Sequence, residues 1–354
     1  MEPFSPDSPH RAVYVPDRGA GRRADVFLHL RFSDWSRSNI ARYIRSGHVV
    51  SDRRLLKPSS MLQAGEVLRV YIPGLAPVDL PPPMPAVLYE DASMLALDKP
   101  AGMLVHPVGQ KWSWGIVGLA RRARPEADID LSHRLDRDTS GVMLLTKRPE
   151  ANRHMKQIFM DRKVGKVYWA LVRGVPAWDE ITCDAPLGQA IGSAVILRQG
   201  VNPAGAAAKT RFKVLHRQTE YALVACKPVT GRTHQIRVHL EHLGFPILGD
   251  KLYGQPDDVF LEILEKGITD RIREVVRFPR HALHARSIAF PHPDTGQILR
   301  VRAPLPADMR AVALGAPPVW EAAPTAVEAP AEVEAAVASE WSWGGGPAPA
   351  TPRF

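Results

Sequence analysis

The sequence predicts an α+β fold in which a large domain with a mixed, largely antiparallel central sheet follows a small domain of α-helices and short strands. The first observation is a series of short apolar runs that are typical of strands: Met94–Leu97, Val142–Thr146, Val167–Val172 and Tyr221–Ala225. The second is that helical segments occur between these runs without regular alternation, which argues against a doubly wound parallel sheet. The third is a proline-rich stretch at residues 75–85, which favours an extended linker between the two domains.

The composition favours a globular protein with a polyanionic partner. The chain has 354 residues, of which 45% are hydrophobic, and this is ample for a buried core. Its net charge is +9, and the excess is uneven, because the last 39 residues carry −4 and the preceding 315 carry +13. Such an excess of Lys and Arg is consistent with a solvated basic surface or with binding to nucleic acid.

Cysteine usage and hydropathy indicate the cellular compartment. The two cysteines, Cys183 and Cys226, exclude a four-thiolate zinc site and imply no disulfide framework, which favours a reducing compartment. No apolar run approaches membrane-spanning length, and the N-terminus lacks the order of a signal peptide. We therefore expect a soluble, cytoplasmic, monomeric protein with no membrane partner.

Two helices and several short strands are predicted within residues 22–74. The second helix begins at Ser36, a favourable N-cap residue, and ends at Gly47, where a left-handed residue is needed. Strands at His48–Val50 and Leu68–Ile72 follow. The first helix is predicted to contain Val26, Phe27 and Leu30, and in the second helix Ile40, Tyr43 and Ile44 fall on one face.

Four segments of this small domain form an ordered pattern of basic, apolar and glycine residues: Arg22–Leu28, Ser36–Ile40, Ser46–Val49 and Gly65–Leu68. Together they resemble the S4 RNA-binding domain. In that family the second helix and the following turn present basic groups to RNA phosphates, which supply affinity and register rather than sequence discrimination. The resemblance implies RNA contacts from Arg37, Arg42, Arg45 and Lys57, and Arg53 and Arg54 fall in the same cluster.

The remaining segments complete the predicted domain organisation. Residues 1–21 are rich in proline and charge and are expected to be flexible. The large domain occupies residues 86–308. Residues 316–354 are rich in Ala, Pro and Glu and have too little apolar bulk to pack, so we expect them to be disordered.

A polar loop at His133–Gly141 leads directly into the apolar strand Val142–Thr146. This arrangement holds a carboxylate, Asp136 or Asp138, on a loop fixed by a rigid sheet, which is a common position for catalytic groups. Aspartates in loops more often cap a turn, so the residues alone leave both interpretations open.

A second polar segment, Thr230–Leu240, begins with a Thr-Gly turn and continues as a helix that Gly244 ends. Its buried face is predicted to carry Ile236, Leu240 and Leu243, and another face His234, Arg237 and Glu241. Arg232 lies at the start of the helix, where it could reach a carboxylate on another loop. The alternative is an ordinary surface arginine.

Motifs for metals and nucleotide cofactors are missing from the sequence. His234 and His239 do not have metal-ligand spacing, and no acidic residue completes a metal motif. Neither a Gly-x-Gly-x-x-Gly segment, nor a Walker loop, nor a Gly-x-Ser-x-Gly segment occurs. We therefore expect no metal and no cofactor.

The two polar segments, taken together, resemble the ribosomal large-subunit pseudouridine synthase D family and its A-type relatives. The segments that carry the resemblance are His133–Gly141 and Gly231–His239. Further matches follow in order along the chain: Asp98–Gly102 with Val105–Pro107, Lys166–Ala170, Gly249–Gly254 and His281–Ala285. The resemblance covers residues 22–305, including the S4-like part.

The resemblance implies an isomerase that converts uridine in structured RNA to pseudouridine. The enzyme breaks the bond from ribose C1′ to uracil N1, turns the base and joins C1′ to C5, so no redox cofactor or ATP is needed. Asp136 would be the catalytic carboxylate, and it could stabilise charge at C1′, add covalently or take the C2′ proton. Arg232 would pair with Asp136 and favour its charged form.

The target base must leave its stack to reach this carboxylate. The resemblance implies that Arg134 fills the vacated stack and that Tyr168 packs against the flipped base. Lys99 and Leu135 would form part of the pocket wall, and Lys99 would contact the RNA. Ribosomal RNA is the expected substrate. There are two alternatives. The substrate could be transfer RNA, or the protein could act mainly as a non-catalytic RNA-binding assembly factor.

Overall fold

The structure is a computed structural model that describes residues 11–32, 35–71, 82–105 and 115–320. It divides into two compact units, one formed by Met1–Met84 with Met103–Ile129 and the other by Pro85–Gly102 with Asp130–Phe354. Several predicted features lie wholly or partly outside the described residues: residues 1–10, Ile72, residues 75–81 of the linker, His106, Pro107 and residues 321–354. The predicted domain boundaries stay a prediction.

The first unit contains a small antiparallel sheet whose strand order is β1-β3-β2. Its described elements are β1 (Arg11–Tyr14), a 3-10 turn (Asp17–Gly19), α1 (Ala24–His29), α2 (Arg37–Arg45), β2 (Val49–Ser51), β3 (Val67–Val70) and α3 (Ile116–Ala123). Phe27 and Leu28 from α1 pack with Ile40 and Ile44 from α2 in its core. Leu30, which the sequence predicts within the first helix, is the C-cap residue after α1 and is 62% exposed.

The second predicted helix is confirmed in its local detail. Ser36 is the N-cap of α2, and its hydroxyl accepts a hydrogen bond from the Asn39 backbone N–H at 3.2 Å. Ile40 and Ile44 are buried, and Tyr43 packs against the same core. Gly47 has a φ of +76° and turns the chain into β2. Arg42 and Arg45 lie on the exposed face of this helix.

The second unit is built around a ten-stranded sheet, and the predicted mixed, largely antiparallel sheet is confirmed. Its strands are β4 (Val87–Glu90), β5 (Met94–Lys99), β6 (Asp130–Leu131), β7 (Ser140–Thr146), β8 (Gly165–Arg173), β9 (Glu180–Cys183), β12 (Thr210–Arg217), β13 (Tyr221–Pro228), β14 (Leu283–Pro291) and β15 (Ile298–Arg302). A separate hairpin consists of β10 (Leu187–Gln189) and β11 (Gln199–Val201). The helices are α4 (Pro149–Met160), α5 (Gln235–His242), α6 (Asp257–Lys266), α7 (Asp270–Val276) and α8 (Ala307–Ala313).

The main path through the sheet has the order β4-β5-β7-β14-β8-β13-β12-β9. Among the strand pairs described, β7 with β14 is the parallel one, and the others are antiparallel. The two parallel strands approach closely at Gly141, whose φ is +106° and where an added Cβ would lie 2.3 Å from the Ala285 carbonyl oxygen. Glycine is therefore required at this position, immediately after the predicted polar loop.

The predicted helix after the Thr-Gly turn is also confirmed. Ile236 and Leu240 of α5 are buried, Leu243 packs against the same core, and Gly244 follows with a φ of +84°. The residue before α5 is His234, which has a left-handed backbone with a φ of +55°. None of the helices described is long and apolar enough to cross a membrane.

Candidate active site

Asp136 lies in the loop between β6 and β7, and this loop is held by backbone and buried side-chain contacts. The Thr139 N–H donates to the Asp136 carbonyl at 3.1 Å, which closes a turn. The Thr139 hydroxyl and His281 Nε2 form a buried hydrogen bond of 2.8 Å. The Gly102 N–H donates to the Arg137 carbonyl at 3.0 Å, which ties the loop to the end of β5. The Asp136 side chain, 38% exposed, is thus presented from a fixed backbone.

Lys99 contributes to this loop from inside the protein, which corrects the expectation of an RNA contact. Its side chain is fully buried, with no exposed surface. Its ammonium donates to the Pro100 carbonyl at 2.9 Å and to the Arg137 carbonyl at 2.7 Å. Burial lowers the pKa of Lys99 to about 7. Lys99 therefore supports the loop that carries Asp136, because its position at the end of β5 places its ammonium against the loop backbone rather than at the surface.

Arg237 is the arginine that binds Asp136. Its Nη1 donates to Asp136 Oδ2 at 3.1 Å, and its side chain is only 8% exposed. Its Nε and Nη2 donate to the two carboxylate oxygens of Asp250 at 2.6 and 2.8 Å. The planar guanidinium is thereby fixed on one edge by a buried carboxylate and offers its remaining donor to Asp136.

The predicted pairing of Arg232 with Asp136 is wrong. Arg232 precedes α5, and its Nε donates to the Ala207 carbonyl at 3.2 Å. Its backbone N–H donates to the side-chain oxygen of Gln235 at 3.0 Å. His234, the residue before α5, and Arg237, in the first turn of α5, are the side chains from this segment that face Asp136.

The electrostatic surroundings keep Asp136 ionised. Burial raises the pKa of the Asp136 carboxyl, but the positive charge and hydrogen bond of Arg237 outweigh it, so the pKa lies below the ordinary value. Asp250 is fully buried, and its pKa is also lowered, because Arg237 and backbone N–H groups compensate its desolvation. His281 is uncharged at neutral pH, since burial lowers its pKa to about 3.

The other carboxylate of the loop, Asp138, has a different environment. Its Oδ2 lies 3.5 Å from the Lys251 ammonium, and its Oδ1 lies 4.0 Å from Arg137 Nε. The two aspartates of the loop are therefore held by different cations. Asp136 is the one that lies between buried Arg237 and open solvent.

Tyr168 and Arg134 lie near Asp136, as the sequence led us to expect. Burial and the negative charge of Asp136 raise the pKa of the Tyr168 hydroxyl, so it remains protonated. Tyr168 is half-buried on β8, opposite Cys226 of β13. Arg134 is exposed, and its charge helps to lower the pKa of His234.

The predicted RNA-binding residues of the first unit are at its surface, with one qualification. Arg42, Arg45 and Lys57 are exposed. Arg37 is engaged in an ion pair, because its Nη2 donates to Asp25 Oδ2 at 3.0 Å. Arg23 binds the same carboxylate, and hydrogen bonds from the two arginines lower the pKa of Asp25 to about 2, although its burial opposes this. Part of the Arg37 charge is therefore already neutralised.

Sequence reasoning assigned no site role to five residues that the structure places around Asp136 or its contacts: Arg237, Asp250, Tyr253, His234 and His281. All five fall in segments that carried the family resemblance, namely Gly231–His239, Gly249–Gly254 and His281–Ala285. The family motifs could therefore have drawn attention to these residues. Which of them binds Asp136, however, depends on the tertiary structure. Within the described part of the chain, no cluster of three or more His, Cys, Asp or Glu residues is suited to hold a metal.

Comparison with known proteins decides the family. A family model described as RNA pseudouridylate synthase matches residues 93–242. The ribosomal large subunit pseudouridine synthase D of Xanthomonas campestris is 37% identical over 316 residues, which cover 86% of this chain and 92% of that protein. The chain belongs to the RNA pseudouridine synthases.

Other RNA pseudouridine synthases agree with this result. The ribosomal large subunit pseudouridine synthase C of Salmonella typhimurium is 37% identical over 306 residues, covering 83% of this chain and 93% of that protein. A solved structure described as human RNA Pseudouridylate Synthase Domain Containing 1 has a TM-score of 0.51 at 25% identity, covering 63% of this chain and 84% of that chain. This pseudouridine synthase is therefore an enzyme that isomerises uridine within RNA.

Proposed function

We propose that this pseudouridine synthase modifies uridines of large-subunit ribosomal RNA and uses Asp136 as its catalytic carboxylate. The observation that carries the catalytic assignment is the ion pair of Asp136 with buried Arg237, at 3.1 Å, on a loop fixed by the sheet. The pair keeps the carboxylate ionised, as a group that stabilises charge at C1′, attacks it or removes the C2′ proton must be.

The two oxygens of Asp136 have different roles in this proposal. Oδ2 accepts from Arg237 Nη1 and faces His234 Nε2 at 3.8 Å. Oδ1 accepts no hydrogen bond from the described residues, so it is the oxygen available to the ribose. Tyr168, protonated and half-buried, packs its ring against the flipped uracil. Arg134, exposed beside the site, fills the space that the base vacates.

The ribosomal substrate is proposed from two kinds of support. The similar proteins from Xanthomonas campestris and Salmonella typhimurium are ribosomal large subunit pseudouridine synthases by name. The S4-like part of the first unit exposes Arg42, Arg45 and Lys57, which suit phosphates of a structured RNA. Such a substrate places the enzyme in the cytoplasm, and one chain supplies all the site residues described above, so we propose that it acts as a monomer.

The catalytic assignment is tested with Asp136→Asn and tritium release from RNA that carries 5-tritiated uridine. We expect the variant to fold and bind RNA but to release no tritium, because the amide cannot carry the negative charge. Asp179→Asn is the matched control, since this aspartate is 87% exposed and pairs with Arg217. Near-normal release by Asp136→Asn would remove Asp136 from the mechanism. Mapping pseudouridines by carbodiimide adduct stops, with and without the gene, tests the ribosomal substrate separately.

A further inference from the structure

His234 occupies an unusual backbone position beside Asp136. It immediately precedes α5, and its φ of +55° places a residue with a side chain in the left-handed region. Strained positions of this kind persist only where the surrounding structure holds them, and they cluster at functional sites. His234 Nε2 lies 3.8 Å from Asp136 Oδ2, and His234 Nδ1 lies 2.8 Å from the Tyr253 hydroxyl oxygen.

The tautomer of His234 follows from the hydrogen bonds of Tyr253. The Tyr253 side chain is fully buried, so its hydroxyl must find its partners within the protein. The hydroxyl oxygen accepts from the Gln199 backbone N–H at 3.0 Å. Among the described residues, His234 Nδ1 is the acceptor that the hydrogen of the Tyr253 hydroxyl can reach. Tyr253 therefore donates to Nδ1, and the ring proton of His234 resides on Nε2, which faces Asp136.

His234 is also held in its neutral form. Burial lowers the pKa of His234, and the charges of Arg237 and Arg134 act in the same direction. Asp136 and Asp250 oppose this shift but do not reverse it. A neutral ring that carries its proton on Nε2 can donate a hydrogen bond to Asp136 without forming a second full ion pair.

We propose that His234 is a second positioning residue for the catalytic carboxylate, a neutral Nε2–H donor to Asp136 that Tyr253 holds in the required tautomer. The proposal rests on the proposed role of Asp136. Arg237 and His234 approach the same oxygen, Oδ2, from one end of α5, so together they direct Oδ1 at the ribose. The 3.8 Å separation becomes a hydrogen bond when RNA fills the site, as catalytic contacts commonly tighten on substrate binding.

The role of a neutral donor differs from that of an acid or base. A charged imidazolium would deliver a proton to Asp136 and weaken the carboxylate as a nucleophile or base. A neutral N–H lowers the pKa of Asp136 modestly and fixes its orientation. The hydrogen bond from Gln199 further links this arrangement to the first residue of β11, so the β10–β11 hairpin helps to keep Tyr253, and through it His234, in place.

The test compares Tyr253→Phe and His234→Asn with Tyr89→Phe under single-turnover and steady-state conditions. Asparagine tolerates the left-handed backbone but cannot extend a donor to Asp136. Tyr89 is the matched control, because its hydroxyl also donates to a carboxylate, that of Asp91, at the β4 end of the sheet. We expect kcat to fall about tenfold in Tyr253→Phe and about ten- to a hundredfold in His234→Asn, with KM unchanged.

Two further readouts separate positioning from a merely structural role. Loss of a donor to the carboxylate raises the pKa of Asp136, so the acid limb of the pH–rate profile should move to higher pH in both variants. Other charged or titratable groups that face Asp136 or His234 are Arg237, Asp250, Arg134, Lys99, His281 and Tyr168. In ¹⁵N-histidine spectra, the signal of His234 is assigned as the one that disappears in His234→Asn. It should show the Nε2–H tautomer in the wild type. In Tyr253→Phe the ring should no longer be confined to that tautomer.

The outcomes distinguish this inference from the proposed function. Turnover by Asp136→Asn would overturn both. An inactive Asp136→Asn, combined with Tyr253→Phe and His234→Asn variants that behave like Tyr89→Phe, would overturn the inference alone. A fall in kcat without a shift of the acid limb, or an Nδ1–H tautomer in the wild type, would also overturn it.

Discussion

At the scale of single residues, the site depends on one guanidinium shared between two carboxylates. Asp250 is buried and receives two hydrogen bonds from Arg237, and backbone N–H groups of Leu252 and Tyr253 donate to it as well. Arg237 is thereby unable to rotate away from Asp136. The cost of burying Asp250 is offset by these four hydrogen bonds, so the strongest electrostatic contacts of the site are internal and pre-organised.

The sequence predicted the carboxylate but not its partner. Asp136 could be recognised because a polar loop runs into an apolar strand and because its motif is specific. The sequence prediction chose Arg232, whereas the residue that binds Asp136 is Arg237, five positions later in the same motif. Which arginine reaches Asp136 depends on the left-handed turn at His234 and on the hydrogen bonds that Gln235 Oε1 accepts from the Thr230 hydroxyl and the Arg232 N–H, which no local pattern reveals.

We predict that Arg237→Lys lowers kcat by about a hundredfold, whereas Arg232→Lys changes it little. Lysine keeps the charge but cannot bind Asp250 and Asp136 together, and loss of one pre-organised donor commonly costs this much. Arg237 lowers the pKa of Asp136, so activity is present above that pKa and is lost as the pH falls through it. The acid limb should therefore move to higher pH in Arg237→Lys. If kcat fell more in Arg232→Lys than in Arg237→Lys, at temperatures where both variants are folded, Arg232 rather than Arg237 would be the partner of Asp136.

At the scale of secondary structure elements, the loop that carries Asp136 is positioned by the parallel pairing of β7 with β14. The register places Ser140 opposite His284 and Gly141 opposite Ala285. Apolar runs predicted the strands at Met94–Leu97, Val142–Thr146, Val167–Val172 and Tyr221–Ala225, and all four are confirmed. The sequence did not predict which strands pair, because pairing between distant segments is decided by side-chain packing across the whole sheet.

We predict that Gly141→Ala destabilises the protein strongly and abolishes activity. An added Cβ would lie 2.3 Å from the Ala285 carbonyl oxygen, so either β14 or the start of β7 must move, and the loop that carries Asp136 moves with it. Gly192→Ala is the control, because its φ of +77° imposes the same kind of backbone strain, with no atom within 4 Å of the added Cβ. We expect about 1–2 kcal/mol from that strain.

Thermal or denaturant unfolding of Gly141→Ala and Gly192→Ala measures how much each substitution lowers the free energy of unfolding. The difference between the two separates the effect of the close contact with Ala285 from the effect of the backbone conformation. Gly141→Ala should lose several kcal/mol more than Gly192→Ala, in the range of other overpacked core positions. Equal stabilities would show that the sheet accommodates the methyl group and that the strand junction is not what fixes the loop.

At the scale of the whole molecule, charge is distributed unevenly along the chain. The 315 residues before Ala316 carry +13, and the following 39 carry −4. Composition predicted a polyanionic partner, and membership of the RNA pseudouridine synthases agrees with it. Composition could not show how many of the arginines are free. Arg37 and Arg54 are bound to Asp25 and Glu66, whereas Arg42, Arg45 and Lys57 are exposed.

We predict that the triple variant Arg42→Gln, Arg45→Gln, Lys57→Gln binds RNA more weakly and with a shallower salt dependence. Each lost phosphate contact reduces the slope of log K against log salt by about 0.7–0.9, so the loss of all three should reduce it by about two. The matched control is Arg153→Gln, Lys156→Gln, Lys163→Gln, which removes the same net charge from exposed positions in and just after α4. A general effect of net charge would lower the slope equally in both. A fall confined to the first variant, with single-turnover kcat at saturating enzyme unchanged, would show that the S4-like part holds the RNA while the second unit performs the chemistry.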